Sequence, residues 1–225
     1  MTNLRPAPEA KDLADMMVQM DDIHRTILSE TLDGKDDGQI RESGRTICPR
    51  NGSVKGPGKR YPKSVQLAGC PLERGGTWHT HVSPGQLRNP NSSLPDMANV
   101  VYGLIDVSVV SGTDSTEAII SAEDERAMVG TFQQALGVEA ESPEEVYEAV
   151  TGGEVNPIRA RRRVRAALKP LIMTRQTGFP DLRRRVRSGP VAFSPSNAHH
   201  EVARSTCHPG RPARSTRYPV VYCQN

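Results

Sequence analysis

Apolar residues return at steps of three and four through Leu13, Met16, Met17, Met20, Ile23, Ile27 and Leu28. This predicts one amphipathic helix over about residues 8–32, stopping at Asp33-Gly34. Its methionines read as core or partner packing rather than cofactor contacts. Further on, short apolar runs predict strands over 45–48, 64–68, 76–81, 105–111 and 117–121, with a helix over 96–104 between the third and the fourth. Ser121-x-x-Asp124 opens another helix, whose Met128, Val129, Phe132, Ala135 and Leu136 share a face up to Gly137. Ser142-Pro143-Glu144-Glu145 and Asn156-Pro157 open two more, each with proline at the first helical position, and Pro170 ends the second. No internal repeat is present. Mixed strand and helix signals of this kind predict an α/β fold.

Two stretches fall outside that pattern. Pro49 to Lys63 (PRNGSVKGPGKRYPK) is dense in Gly, Pro and Lys and reads as a mobile or partner-held loop. From Thr174 onward Gly178, Pro180, Gly189, Pro195, Pro209, Gly210, Pro212 and Pro219 punctuate the chain, and apolar content thins to Val191-Ala192-Phe193 and Val220-Val221-Tyr222. An extended arm is expected there, one that orders by lying on another surface. The chain therefore divides into an N-terminal amphipathic helix (1–33), a core domain (34–138), a helical extension (139–173) and a basic C-terminal arm (174–225).

Composition narrows the class. With 225 residues, 36% hydrophobic and 4% aromatic, the chain holds one α/β domain and an appendage, and is lean for a single large globule. It has no apolar run of 18 or more residues, and MTNLRPAPEAKD has neither a basic n-region nor an apolar h-region. A soluble, cytoplasmic protein is the expectation, either free or assembled into a virion or other large complex. Charge is divided: residues 1–155 carry 14 Lys and Arg against 24 Asp and Glu, a net of −10, whereas residues 156–225 carry 15 against 2, a net of +13. The dense basic runs hold Arg159, Arg161, Arg162, Arg163 and Arg165, then Arg183, Arg184, Arg185 and Arg187. Two readings stand side by side: a basic face docked on the acidic body, or contact with nucleic acid or a neighbouring subunit. Few aromatics interleave with these arginines, which argues against a single-strand stacking platform.

The chemistry lies in WHTHVSPGQLRNPNSSLPD, Trp78 to Asp96. Residues two apart on a strand share a face, so His79 and His81 present both imidazoles to one side. Ser93-x-x-Asp96 marks a helix start that can return Asp96 to that face, and it also has the form of an ordinary capping box. Two histidines and a carboxylate leave one corner of a tetrahedral zinc open, the make-up of a catalytic rather than a structural site. Cys48, Cys70, Cys207 and Cys223 contain no C-x-x-C, and with His199, His200 and His208 they make a poor second metal motif. Reduced cysteines are the expectation in a cytosolic setting. His24 reads as an ordinary helix residue.

The spacing H-x-H, then S-x-x-D, with Glu42 upstream in Arg41-Glu42-Ser43-Gly44, resembles the JAMM (MPN+, JAB domain) zinc metallo-isopeptidases over about residues 34–125. That resemblance implies a cytidine-deaminase-like mixed sheet flanked by helices. It also implies Zn2+ held by His79, His81 and Asp96, with Glu42 as the general base for the metal's water and Ser93 supporting the oxyanion. Glu30 and Glu73 are also upstream or nearby; the Gly-flanked, pre-strand setting favours Glu42. The stretch from His81 to Ser93 is a few residues longer than is usual in the family.

Two functions follow as expectations. One is a zinc-dependent isopeptidase or peptidase acting on a protein substrate, which the resemblance would place at the C-terminal end of a ubiquitin-like modifier or in a precursor protein. The other is an assembly or virion-type structural protein that uses a JAMM-like domain as scaffold and a basic arm on nucleic acid or neighbouring subunits, in a homo- or hetero-oligomer. Neither involves a membrane.

Overall fold

The computed structural model describes residues 4–33, 40–61, 64–70, 73–188 and 220–224. It is α/β. A six-stranded mixed sheet runs in the order β2-β1-β5-β6-β7-β8, from β1 (Gly44–Cys48), β2 (Ser53–Lys55), β5 (Gly76–His79), β6 (Val107–Ser111), β7 (Ser115–Ile120) and β8 (Ile172–Gln176). β5 and β6 are parallel and the other pairs antiparallel. A second, antiparallel sheet has the order β3-β4-β9, from β3 (Pro57–Tyr61), β4 (Ser64–Ala68) and β9 (Val220–Gln224).

Strand alternation sorts the two faces of the main sheet. Ile47, Trp78, Val107, Val109, Ala118 and Ile120 point to one side, where Ala10, Leu13, Ala14, Met17 and Val18 of α1 (Pro8–Gln19) and Ile27 of α2 (Asp21–Leu32) pack on them. The opposite side carries Ile119 beneath α4 (Leu94–Val101), α5 (Glu125–Leu136), α6 (Pro143–Thr151) and α7 (Pro157–Ala167), whose buried residues form the larger core. The caps act as the sequence suggests. Asp124, Ser142 and Asn156 each accept from the backbone N–H three residues on, and α5 ends at Gly137 with φ 88°.

Four expectations need correction. The helix expected over 8–32 breaks at Met20 (φ −80°, ψ 69°). The reason is visible at the Met17 carbonyl, which lies at the end of α1 and accepts from Trp78 Nε1 at 3.1 Å and bonds His24 Nε2 at 3.0 Å. Two buried ring N–H groups need an acceptor, and an uninterrupted helix would keep that carbonyl to itself. The stretch 49–63 was expected to be a loop; instead it turns at Gly52 (φ 62°) into β2, which pairs with β1, and continues into β3. Residues from Thr174 were expected to be extended; instead Thr174 lies in β8 against β7, and α8 (Pro180–Ser188) follows. Phe179, Leu182 and Val186 are buried there with Leu28, Ile40 and Leu87, the last from α3 (Pro84–Arg88). The rest of the expected arm, with His199, His200, Cys207 and His208, lies outside the described residues except for β9, which sets Cys223 across from Val65. Cys48 and Cys70 were expected to be reduced; they form a disulfide that ties the end of β1 to the segment after β4.

His24 is more than an ordinary helix residue. It is fully buried, with Nδ1 2.7 Å from Ser111 Oγ, and burial pushes its pKa down to about 4 despite the Met17 carbonyl, which pulls it upward. Below about pH 6.5 the unfolded chain takes up this proton while the folded chain does not. Stability is therefore lost as pH falls from about 6.5 through about 4, by up to about 3 kcal/mol. Urea midpoints measured at pH 7 and pH 4.5 should show the drop, and His24→Gln should flatten it.

Candidate metal centre

Three polar side chains, each 0% exposed, come together: His79, His81 and Asp96. His79 ends β5, facing away from Trp78. His81 lies two residues beyond, past the strand's last residue, but the pairing with the segment before β1 continues, since Thr80 N–H donates to the Ser43 carbonyl at 3.0 Å. Asp96 arrives from α4 through the capping box: Ser93 Oγ accepts from Asp96 N–H at 3.3 Å, and Ser93 N–H donates to Asp96 Oδ2 at 2.6 Å. The bland and the sharp reading of Ser93-x-x-Asp96 are thus compatible, because the cap is what aims the carboxylate.

The separations test whether an ion fits. His79 Nε2 is 3.2 Å from His81 Nε2 and 3.1 Å from Asp96 Oδ1, and His81 Nε2 is 3.3 Å from Asp96 Oδ2. Ligands about 2.0–2.1 Å from a tetrahedral zinc stand about 3.3 Å from one another. The three groups approach one another at about that spacing, the two Asp96 contacts ending on different carboxylate oxygens, and one ligand atom from each lies within 4.8 Å of the others, so the residues can hold a metal ion. Protonation agrees. Burial lowers the pKa of His81, which favours the neutral imidazole that ligates. Burial alone would raise Asp96, but the two imidazoles beside it hold its carboxyl well below the ordinary value. A neutral imidazole and a carboxylate are ligating forms.

Glu42 comes to the same place. Gly44 pairs with His79, and the same antiparallel register carried two residues outward sets Glu42 across from His81. Its side chain is fully buried, yet its carboxylate is not one of the three converging ligand groups. Gly44 is needed here because a Cβ would stand 2.4 Å from the Trp78 carbonyl oxygen and 3.2 Å from His79 Cβ. The two competing glutamates are engaged elsewhere. Glu30 bonds the Arg45 guanidinium and Ser43 Oγ, and Glu73 accepts from Arg50 N–H at 3.0 and 2.9 Å.

Several supports had no signal in the sequence. Arg60 donates from Nε to the Glu42 carbonyl at 3.1 Å and from Nη2 to the carbonyls of Glu30 and Arg41 at 2.6 and 3.2 Å, which fixes the backbone around the base candidate. Thr80, between the histidines, takes Ser43 N–H on its Oγ1 at 3.1 Å and meets Thr31 Oγ1 at 2.7 Å. The long stretch from His81 to Ser93 is pinned to the β6–β7 turn. Arg88 bonds Asp114, Ser115 Oγ donates to Asn89, and Gly112 admits Pro90 so closely that a Cβ would lie 2.5 Å from its Cδ. Gln86, whose Oε1 accepts from Asn91 N–H at 2.7 Å, also borders His81.

The basic runs behave differently from the metal residues. Arg165 pairs with buried Glu117, Arg183 with Asp114 at 3.3 Å and Arg185 with Asp33 at 2.6 Å, while Arg163 Nη2 donates to the Leu136 carbonyl at 2.9 Å. Arg159, Arg162, Arg184 and Arg187 are exposed and Arg161 is half-buried. Much of the basic charge thus lies against the body. No helix among the described residues is long and apolar enough to cross a membrane. Comparison of the chain with family models, curated proteins and solved structures finds no match.

Proposed function

We infer that this chain is a zinc-dependent peptidase or isopeptidase of JAMM type. The observation that carries the reading is the convergence of His79 Nε2, His81 Nε2 and the Asp96 carboxylate, with nearest contacts of 3.1–3.3 Å. His79, His81 and Asp96 would hold the ion, and a set of two imidazoles and one carboxylate leaves room for water or substrate. Zinc, when bound, supplies a Lewis acid and brings the pKa of water down toward about 7. Glu42 takes a proton from the attacking water and returns it to the leaving amine as the carbonyl carbon–nitrogen bond breaks. Ser93, at the cap beside Asp96, donates to the oxygen that gains negative charge. A ubiquitin-like C-terminus or a precursor protein is the substrate the motif resemblance implies.

The test is metal content followed by cleavage. The purified chain should carry about one zinc, as a three-residue centre does. It should hydrolyse a Gly-Gly-linked fusion protein, lose that activity to a chelator, and regain it with zinc. A chain that takes up no first-row divalent metal contradicts the reading. The assembly-protein alternative rests on the exposed arginines; salt-dependent retention on DNA that disappears on truncation before residue 156 would favour it.

A further inference from the structure

We propose that the ion pair of buried Glu117 with half-buried Arg165 is a positioning clamp for the Asp96 ligand, acting on the loop that leads into α4. This rests on the metal reading above. Val110 of β6 pairs with His79 on one side and with Glu117 on the other, so Glu117 stands in the same cross-strand row as the first histidine, two strands along. Its side chain is 3% exposed. Oε1 accepts Ser92 N–H at 2.7 Å and also meets Arg165 Nη1, and Oε2 accepts from Arg165 Nη2 at 2.7 Å. Ser92 is the residue before the Ser93 cap, and Ser93 N–H in turn holds Asp96 Oδ2 at 2.6 Å. Arg165, Glu117, Ser92, Ser93 and Asp96 thus form one unbroken chain from the basic helix to the metal ligand.

The arrangement has a physical purpose that stability alone does not give it. A buried ion pair is a weak source of stability, since taking both charges out of water offsets most of their attraction. What it does well is hold geometry. Asp96 sits on a helix entered from an irregular, Pro- and Asn-rich loop, and a ligand must be held to within about 0.5 Å of its working position. A carboxylate fixed by both nitrogens of a guanidinium has little freedom left, so the Ser92 N–H bonded to it has little either. The charge run that contains Arg165 therefore includes one arginine turned inward toward the metal centre.

The experiment titrates zinc alone into the metal-free full chain, into Glu117→Leu/Arg165→Met, into Glu117→Gln, and into His81→Ala as the null. The double variant removes both charges and the acceptor for Ser92 together, so no lone charge is left to unfold the chain. Its zinc affinity should fall about 10- to 100-fold, as loss of a group that orients a ligand does. Its metal-free thermal midpoint should stay at or above that of the parent, and Ser92 amide exchange should quicken. Glu117→Gln keeps an oxygen for Ser92 N–H and should stay within a few-fold of the parent's affinity. A double variant that binds zinc as the parent does, or a Glu117→Gln variant that loses as much as the double variant, overturns the clamp while leaving the metal reading intact. A parent chain that binds no zinc overturns both.

Discussion

Replacing His81 with alanine should leave the purified chain without stoichiometric zinc, and His79→Ala should do the same. Each imidazole is one of three buried groups that approach at 3.1–3.3 Å, and no fourth histidine, cysteine or carboxylate joins that group among the described residues. Two remaining ligands cannot hold the ion in place, so affinity should fall by more than the roughly 10- to 100-fold that follows from disturbing an orienting group. The loss has a second readout. A ligand that binds only the folded chain stabilises it by about 2.7 kcal/mol at a hundred times its Kd, so zinc should raise the melting temperature of the parent and not of either variant. His24 provides the contrast. It is as buried as the other two, but it bonds Ser111 and the Met17 carbonyl on the opposite side of the sheet, so His24→Gln should keep its zinc. A His81→Ala chain that retains one zinc would place the metal elsewhere.

The reason these residues could be found in the sequence is that their signals are local. H-x-H is legible because a strand alternates faces, and Trp78 between Thr77 and His79 packs on α1 while its neighbours face the other way. Asp96 is legible because a capping box writes its own spacing into the chain. For Glu42 the sequence offers less, since the positional hint lies only in the adjacent Ser43-Gly44 and in the resemblance, and its role as base stays a proposal. The supports were not legible at all. Thr80 with Ser43, Arg60 with the Glu42 carbonyl, and Arg165 with Glu117 are separated by 37, 18 and 48 residues, and pairing over such separations leaves no periodicity to read.

Where the fold was misjudged, one local signal hid another. Phe179, Leu182 and Val186 keep a helical spacing of three and four, but the arginines around them and the nearby Gly178 and Pro180 suggested an extended, solvated arm. β8 is only partly buried, so its pattern is weak, and its place is set by pairing with β7 rather than by its own sequence. The split at Met20 follows from donors on Trp78 and His24, one of them 61 residues away. Tertiary contacts decided these cases, which is why periodicity alone assigned them wrongly.

Glu42→Gln should keep zinc and lose turnover. The amide is nearly isosteric with the carboxyl and can accept hydrogen bonds, but it cannot take a proton from water, so the variant separates a base from a ligand. The loss in kcat should be about 10²- to 10⁴-fold, the contribution of a positioned base. KM should change little, because the residue acts on the water and not on the bound chain. Two other glutamates calibrate the result. Glu73→Gln alters a carboxylate that accepts from Arg50 N–H away from the site and should leave kcat near that of the parent. Glu30→Gln disturbs the brace on Arg45 and Ser43, next in sequence to Glu42, and should lower stability before it lowers kcat. Zinc content, melting temperature and kcat measured on the three variants separate the three roles. If Glu42→Gln turns over at the parent's rate with zinc in place, the proton has another acceptor and the JAMM-type mechanism does not operate in this chain.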